Sequence, residues 1–272
     1  MAHWTLDSID WGSFDPGKVS PDLLAVAKAA ALVEGNGRDY AVYLGNVFAD
    51  DPEFRRAAEQ WAEEEVRHGD ALARWAMLAD PSWDFAAASA RFKAGYSLPL
   101  GATASVRGSR TGELISRCIV ETGTSSYYSA LADASAEPVF AQVCRKIAAD
   151  EFRHYKLFYD HMRRYLERER VGAAGRARIG LGRLIEAGDD ELAYAYFAAN
   201  APAQARYDRR RWSRAYARRA YAVYRPAHVA RGIAMALKAV GLPANGRLHA
   251  ILWPLASRLI GWRARRLAAA GA

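Results

Sequence analysis

An all-α four-helix bundle with a pair of metal ions in its core is the fold class that the sequence predicts, and three observations predict it. Two Glu-x-x-His motifs, Glu65-Val66-Arg67-His68 and Glu151-Phe152-Arg153-His154, lie in stretches of helical apolar spacing. Each follows a further glutamate at nearly the same separation: Glu34 stands 31 residues before Glu65, and Glu121 stands 30 before Glu151. Residues three apart share a helix face, so each motif can turn a carboxylate and an imidazole toward one ion. One Glu from each of two helices plus a Glu-x-x-His from each of two others is the ligand set of di-iron and di-manganese carboxylate bundles. A lone Glu-x-x-His is common on solvated helix faces; its duplication in a chain with six histidines sets this one apart.

The bends place the ligands at one height. Asp50-Asp51-Pro52 reads as a break, with Asp51 as N-cap and Pro52 at the first helical position. Glu34 lies 16 residues before Asp50 and Glu65 lies 14 after Asp51. At about 1.5 Å rise per residue, both sit roughly 21–24 Å from the bend. Ala136-Glu137-Pro138 makes the second bend, and Glu121 and Glu151 are level about it in the same way. Two hairpins docked face to face bring all six side chains together.

Taken in order, the first core helix is expected over residues 21–48, interrupted by Gly35 and Gly37 just after Glu34. Glycine inside a helix costs about 0.5–1 kcal/mol relative to alanine, so the pair signals either close helix packing or a bulge that leaves room beside the metal. The second helix runs over 52–79 and is closed by Asp80-Pro81. Residues 81–110 form a crossover with a short helix over 83–96 and a Gly/Ser/Arg-rich turn. The third helix covers 111–135 and the fourth 138–170. Short hairpin connections with one long crossover suit a ferritin-like four-helix bundle. The bundle is therefore assigned to residues 18–170, Gly172, Gly175, Gly180 and Gly182 to a flexible junction, and 183–272 to a basic helical extension. Helices are expected there over 189–200, 202–224, 226–240 and 245–269.

The chain has 272 residues, 51% of them hydrophobic and 25% charged, an ordinary globular composition. Its first 17 residues do not read as a secretory signal. The longest apolar runs fall short of the 18 or so residues that span a bilayer, so a cytoplasmic location is expected. Cys118 and Cys144 fall inside predicted helices and read as buried thiols. With no Cys-x-x-Cys pair for a built-in iron site, electrons for the metal centre must come from another protein. The net charge of +8 is uneven: residues 201–272 hold 15 Lys plus Arg against one acid, Asp208, while residues 1–200 are net −6. Such a block favours an acidic partner, a nucleic acid or an anionic membrane surface. Five aromatics interleave with seven arginines over 206–224, which suits nucleic acid or a membrane interface. The last helix is amphipathic, fit to cap the bundle or to lie peripherally on a membrane.

A metal-bound imidazole normally gives its other N–H to a carboxylate. Asp150 and Glu64 immediately precede the ligands Glu151 and Glu65, so each can serve the histidine of the opposite hairpin. Arg153 and Arg67 can hold those carboxylates; the plainer reading of all four is exposed helix charge. Histidine and carboxylate donors with open positions favour two Fe2+ ions over a closed structural zinc, with manganese as the alternative.

Trp61-Ala62-Glu63-Glu64-Glu65-Val66-Arg67-His68-Gly69-Asp70-Ala71-Leu72 resembles the second ligand helix of the soluble acyl-acyl carrier protein desaturases. Ile147-Ala148-Ala149-Asp150-Glu151-Phe152-Arg153-His154 is similar to their fourth, and Glu121-Thr122-Gly123-Thr124 to their third-helix Glu-x-x-Thr. The resemblance spans about residues 20–168 and leaves out the basic tail. It implies Glu34 and Glu121 as terminal carboxylates, Glu65 and Glu151 as bridges, and His68 and His154 as terminal nitrogens. Thr124 then stands beside the oxygen-binding face as a proton-delivering catalytic residue. It further implies an oxidoreductase that takes two electrons from a ferredoxin-type donor and places a cis double bond in a fatty acyl chain on acyl carrier protein. The family is generally dimeric, and its acidic carrier suits a basic docking surface. Gly35-Asn36-Gly37, Gly123 and a shorter chain depart from the pattern and bear on the substrate channel. An acyl hydroxylase, an aldehyde-deformylating oxygenase or a ferritin-like iron-binding protein are the alternatives. A nucleic-acid partner is disfavoured.

Overall fold

The structure, a computed structural model, describes residues 4–186 and 190–270, and among them there is no β-strand. Helix α1 (Pro21–Glu34) starts at Ser20, whose hydroxyl accepts the Leu23 N–H, with Pro21 in the first turn. Helix α2 (Gly37–Val47) follows after a turn at Gly35 and Asn36. Helix α3 (Pro52–Ala79) is capped by Asp51, which accepts the Phe54 N–H at 3.0 Å. Helix α4 (Phe85–Gly95) lies in the crossover. Helix α5 (Arg110–Ala134) is capped by Ser109. Helix α6 (Pro138–Glu169) is capped by Glu137 and ends where Arg170 takes a left-handed φ of 51°.

The four rods are α1 with α2, then α3, α5 and α6, with α5 packed along α6 and α3 along α1 and α2. Two apolar cores are stacked along the bundle. The first draws on Leu32, Leu72, Trp75, Tyr128, Phe140 and Ile147. The second draws on Leu44, Phe54, Trp61, Leu114, Tyr155 and Phe158. On every rod the ligand residues fall between the positions that feed the two cores. The charged layer is therefore clamped between two dry ones.

Three expectations change. The single helix over 21–48 is broken at Gly35–Asn36, directly after Glu34, because α1 and α2 approach α3 too closely for side chains there. A Cβ on Gly37 would stand 2.5 Å from the Glu65 Cβ, and one on Gly69 2.7 Å from the Gly35 amide nitrogen. The glycine-rich junction is not loose: residues 173–186 form α7 (Ala173–Glu186), and Gly180 lets it approach Val240, whose Cγ1 would lie 2.6 Å from an added Cβ. Four of the five aromatics of the basic segment, Tyr207, Trp212, Tyr216 and Tyr224, pack against other rings. Trp212 packs on Tyr196 and Phe197, and Tyr216 and Tyr224 pack on Tyr127, so arginine and aromatic do not form one exposed surface.

The extension continues as α8 (Asp190–Asn200), α9 (Arg209–Ala222), α10 (Pro226–Ala239) and α11 (Arg247–Ala269). The expected helix start at residue 189 and the end of the extension at 271–272 lie outside the described residues. Helix α8 packs on α1 and α4, and α10 on α5. Their Tyr196, Phe197, Met235 and Ala239 enter the two cores of the bundle. Helix α11 rests on α9 and α10. Among the described residues no helix is long and apolar enough to cross a membrane.

Candidate metal centre

All six predicted ligand residues meet in the middle layer, each at most 9% exposed. They fall into two overlapping sets whose ligand atoms lie within 4.8 Å of one another: Glu34, Glu65, His68 and Glu151, and Glu65, Glu121, Glu151 and His154. Glu65 and Glu151 belong to both sets, as two carboxylates shared by a pair of ions must. His68 Nδ1 stands 3.1 Å from Glu151 Oε1 and 3.6 Å from Glu34 Oε2. His154 Nδ1 stands 2.9 Å from Glu65 Oε1 and 3.8 Å from Glu121 Oε2. The two imidazole centroids are 5.7 Å apart.

The outer face of each ring is held by a carboxylate from the opposite hairpin. His68 Nε2 pairs with Asp150 Oδ2 at 3.1 Å, and His154 Nε2 with Glu64 Oε2 at 2.9 Å. Asp150 and Glu64 thus occupy the places that their position before each ligand indicates. Arg153 joins both, donating Nη2 to Glu64 at 3.0 Å and Nη1 to Asp150. Arg67 does not act in the same way, because its Nη1 donates to the Trp4 carbonyl at 3.2 Å. The Trp4 indole supports Asp150 instead. Its Nε1 donates to Asp150 Oδ2 at 2.8 Å, and its ring lies parallel to His68 with centroids 5.9 Å apart. Because each Nε2 is engaged outward, each Nδ1 is the nitrogen that points into the layer.

Five buried atoms there have no hydrogen-bond partner: Glu34 Oε2, Glu65 Oε1, His68 Nδ1, Glu151 Oε1 and His154 Nδ1. They approach one another closely, yet none is aligned as a hydrogen bond. Orphaned buried polar atoms cost about 1–3 kcal/mol each, more when charged. One from each of five different ligand residues, converging on one place, is the arrangement that divalent cations satisfy.

The electrostatics agree. Burial, then the neighbouring Glu151 charge, pushes the Glu65 and Glu121 carboxyls well above the usual range. Burial would also raise Glu151, but the adjacent imidazoles hold it down to about 2. Burial disfavours charge on both histidines, yet their carboxylate partners prevail. His68 is raised well above its ordinary value, chiefly by Asp150 and Glu151, and His154 to about 9, chiefly by Glu64 and Glu65. Without cations, protons on the imidazoles and carboxyls are the charge that keeps four carboxylates together.

Two contacts were not foreseen. The Tyr128 hydroxyl donates to Glu34 Oε1, the oxygen turned away from the other ligands. Tyr128 follows Glu121 by seven residues and so shares its helix face, a signal that was available. Trp4 carried none, since 146 residues separate it from Asp150. The Thr124 hydroxyl donates to Glu151 Oε2 at 2.5 Å. Cys118 and Cys144 are buried free thiols.

No curated protein matches the chain. The family model described as fatty acid desaturase matches residues 44–177. That span holds Glu65, His68, Glu121, Glu151, His154 and Thr124, and begins after Glu34. Over that span the chain is similar to the fatty acid desaturases, an oxidoreductase family, and its paired buried Glu/His sets could hold metal ions.

Proposed function

We propose that the protein is an oxygen-dependent di-iron oxidase that introduces a cis double bond into a fatty acyl chain carried on acyl carrier protein. The observation that carries this reading is the convergence of the orphaned atoms of Glu34, Glu65, His68, Glu151 and His154 within a fatty acid desaturase bundle. Glu34, Glu65, His68, Glu121, Glu151 and His154 would hold two ferrous ions, which would supply electrons and open positions for oxygen chemistry at an unactivated C–H bond. The protein's own part is placement. Glu34 and Glu121 each belong to one set only and would serve as terminal ligands, while Glu65 and Glu151 would bridge. Asp150 and Glu64 fix both rings with Nδ1 inward, and Tyr128 orients Glu34. Thr124 Oγ1 can pass a proton along its hydrogen bond to Glu151. The two cores above and below keep bulk water from the layer.

Partners follow from charge and composition. An acidic carrier protein suits the exposed Arg206, Arg210, Arg211 and Arg214 at the start of α9. Electrons would come from a ferredoxin-type donor, because the two thiols are buried singly. A homodimer through bundle helices is the expected assembly.

The test is anaerobic ferrous loading, then oxygen and an electron donor in the presence of acyl carrier protein thioesters, with mass spectrometry of the acyl group. Loss of two hydrogens supports the proposal. Gain of one oxygen atom would reassign the enzyme as a hydroxylase, and an acyl chain unchanged beside fully loaded iron would remove the oxidase reading. Manganese loading in parallel tests the choice of metal.

A further inference from the structure

Helix α11 carries an apolar stripe that the fold leaves uncovered. Leu248, Ile251, Leu255, Leu259 and Trp262 recur at three- and four-residue steps, which puts them on one face. Each is 42–58% exposed. Contact with α9 and α10 uses another face, on which Leu252, Trp253, Ala256, Ile260 and Leu267 are half-buried. Exposed Arg247, Arg258, Arg263 and Arg265 flank the stripe, Arg266 closes its C-terminal end with its guanidinium over the Trp262 ring, and residues 247–269 contain no acid.

We propose that α11 is a membrane-surface helix that lies flat on an anionic lipid bilayer, its stripe among the upper acyl chains and its arginines on the headgroups. Charge decides the occupant. A second copy brought to the stripe would set five arginines against five more with no acid to pair them, whereas anionic headgroups neutralise them. Crossing the bilayer does not arise, since α11 lacks a span of sufficient apolar length. A helix of 23 residues is about 34 Å long, and one apolar edge beside cationic, snorkelling side chains is the pattern of interfacial helices. Trp262, near the C-terminal end, suits the headgroup level. The inference does not depend on the proposed chemistry.

The experiment is co-sedimentation of the full chain with vesicles of phosphatidylcholine alone or with about a third phosphatidylglycerol. Binding is expected only with the anionic lipid, and weaker at about 1 M salt, where the Debye length falls to about 3 Å. A Leu255→Gln/Leu259→Gln double variant, altered only at solvent-facing positions, is expected to bind about tenfold more weakly. Brominated acyl chains should quench tryptophan emission in the wild type more than in Trp262→Phe, and that comparison stands alone if the double variant loses helical signal. Equal binding to neutral vesicles, full binding by the folded double variant, or equal quenching with Trp262→Phe overturns the proposal. So does a vesicle-free dimer that the double variant dissociates, which would make the stripe a contact between copies.

Discussion

Replacing Gly69 by alanine tests whether the close crossing of α1 and α3 sets the ligand positions. The new Cβ would stand 2.7 Å from the Gly35 nitrogen, 2.9 Å from its Cα and 3.0 Å from the Ala31 carbonyl oxygen. These are backbone atoms, so no side chain can rotate aside. Relaxed contacts lie near 3.5–4.0 Å, and the helices must part by about 0.7–1 Å. Overpacking of this kind costs about 3 kcal/mol at its upper end, and alanine's helix propensity offsets about 1. A net loss of about 2 kcal/mol lowers Tm by about 4–8 °C in a chain of this size. Because Gly69 adjoins His68 and Gly35 adjoins Glu34, iron retention should fall as well. Gly123 is the control: it too lies near a ligand, two residues after Glu121, yet an added Cβ meets nothing within 4 Å. Gly123→Ala should therefore raise stability by about 0.5–1 kcal/mol. The assays are thermal denaturation by circular dichroism and iron content per chain. If Gly69→Ala melts with the wild type and keeps its iron, or if Gly123→Ala falls equally far, the packing argument is wrong.

Ferrous ion at about 100 times its Kd should stabilise the folded chain by about 2.7 kcal/mol, seen as a melting temperature about 5–10 °C higher; no shift would mean that the layer does not hold metal. Glu64→Gln removes the charge partner of His154 and should lower iron affinity about 10–100-fold with the helices intact, measured by chelator competition. Asp51 caps α3 and also accepts from Tyr165 at 2.8 Å and Arg164 at 3.2 Å. Burial opposes its charge, yet these bonds hold its carboxyl below the usual 3.8. Its ionised form thus adds stability above that pH, which is lost as the pH falls through the depressed value. Asp51→Asn should cost about 1–2 kcal/mol near pH 7 and nothing in acid, by denaturant titration across pH. Burial raises both cysteine thiols, so a thiol reagent should label none in the native chain and both after unfolding.

Much of this arrangement was legible because it is written in local intervals. The Glu-x-x-His repeat and the two Pro-marked bends located the six side chains and their common height, and adjacency located Asp150 and Glu64. What escaped depends on approach in space. Nothing near Arg67 indicates that Trp4 would displace it from the carboxylate pair. The glycines at 35 and 37 announced an irregularity, but only the packing of Gly69 on Gly35, where an added Cβ would come within 2.7 Å of the Gly35 nitrogen, shows how tightly α3 crosses the break. The glycines at 175, 180 and 182 read as a loose joint because helix propensity is local, whereas burial of Gly180 against Val240 is not. The arginine-rich stretch misled in the same way: its aromatics were visible, and the surface they would cover was not.

The indole of Trp4 ties together two segments that lie far apart in the chain. Its partner Asp150 lies 146 residues further along the chain, so this contact needs the α5–α6 hairpin to be in place. Until the α5–α6 hairpin exists, the amino-terminal arm has nothing to close upon, and the outer side of His68 stays open. In the assembled bundle the Trp4 ring covers His68 and holds the carboxylate that orients it.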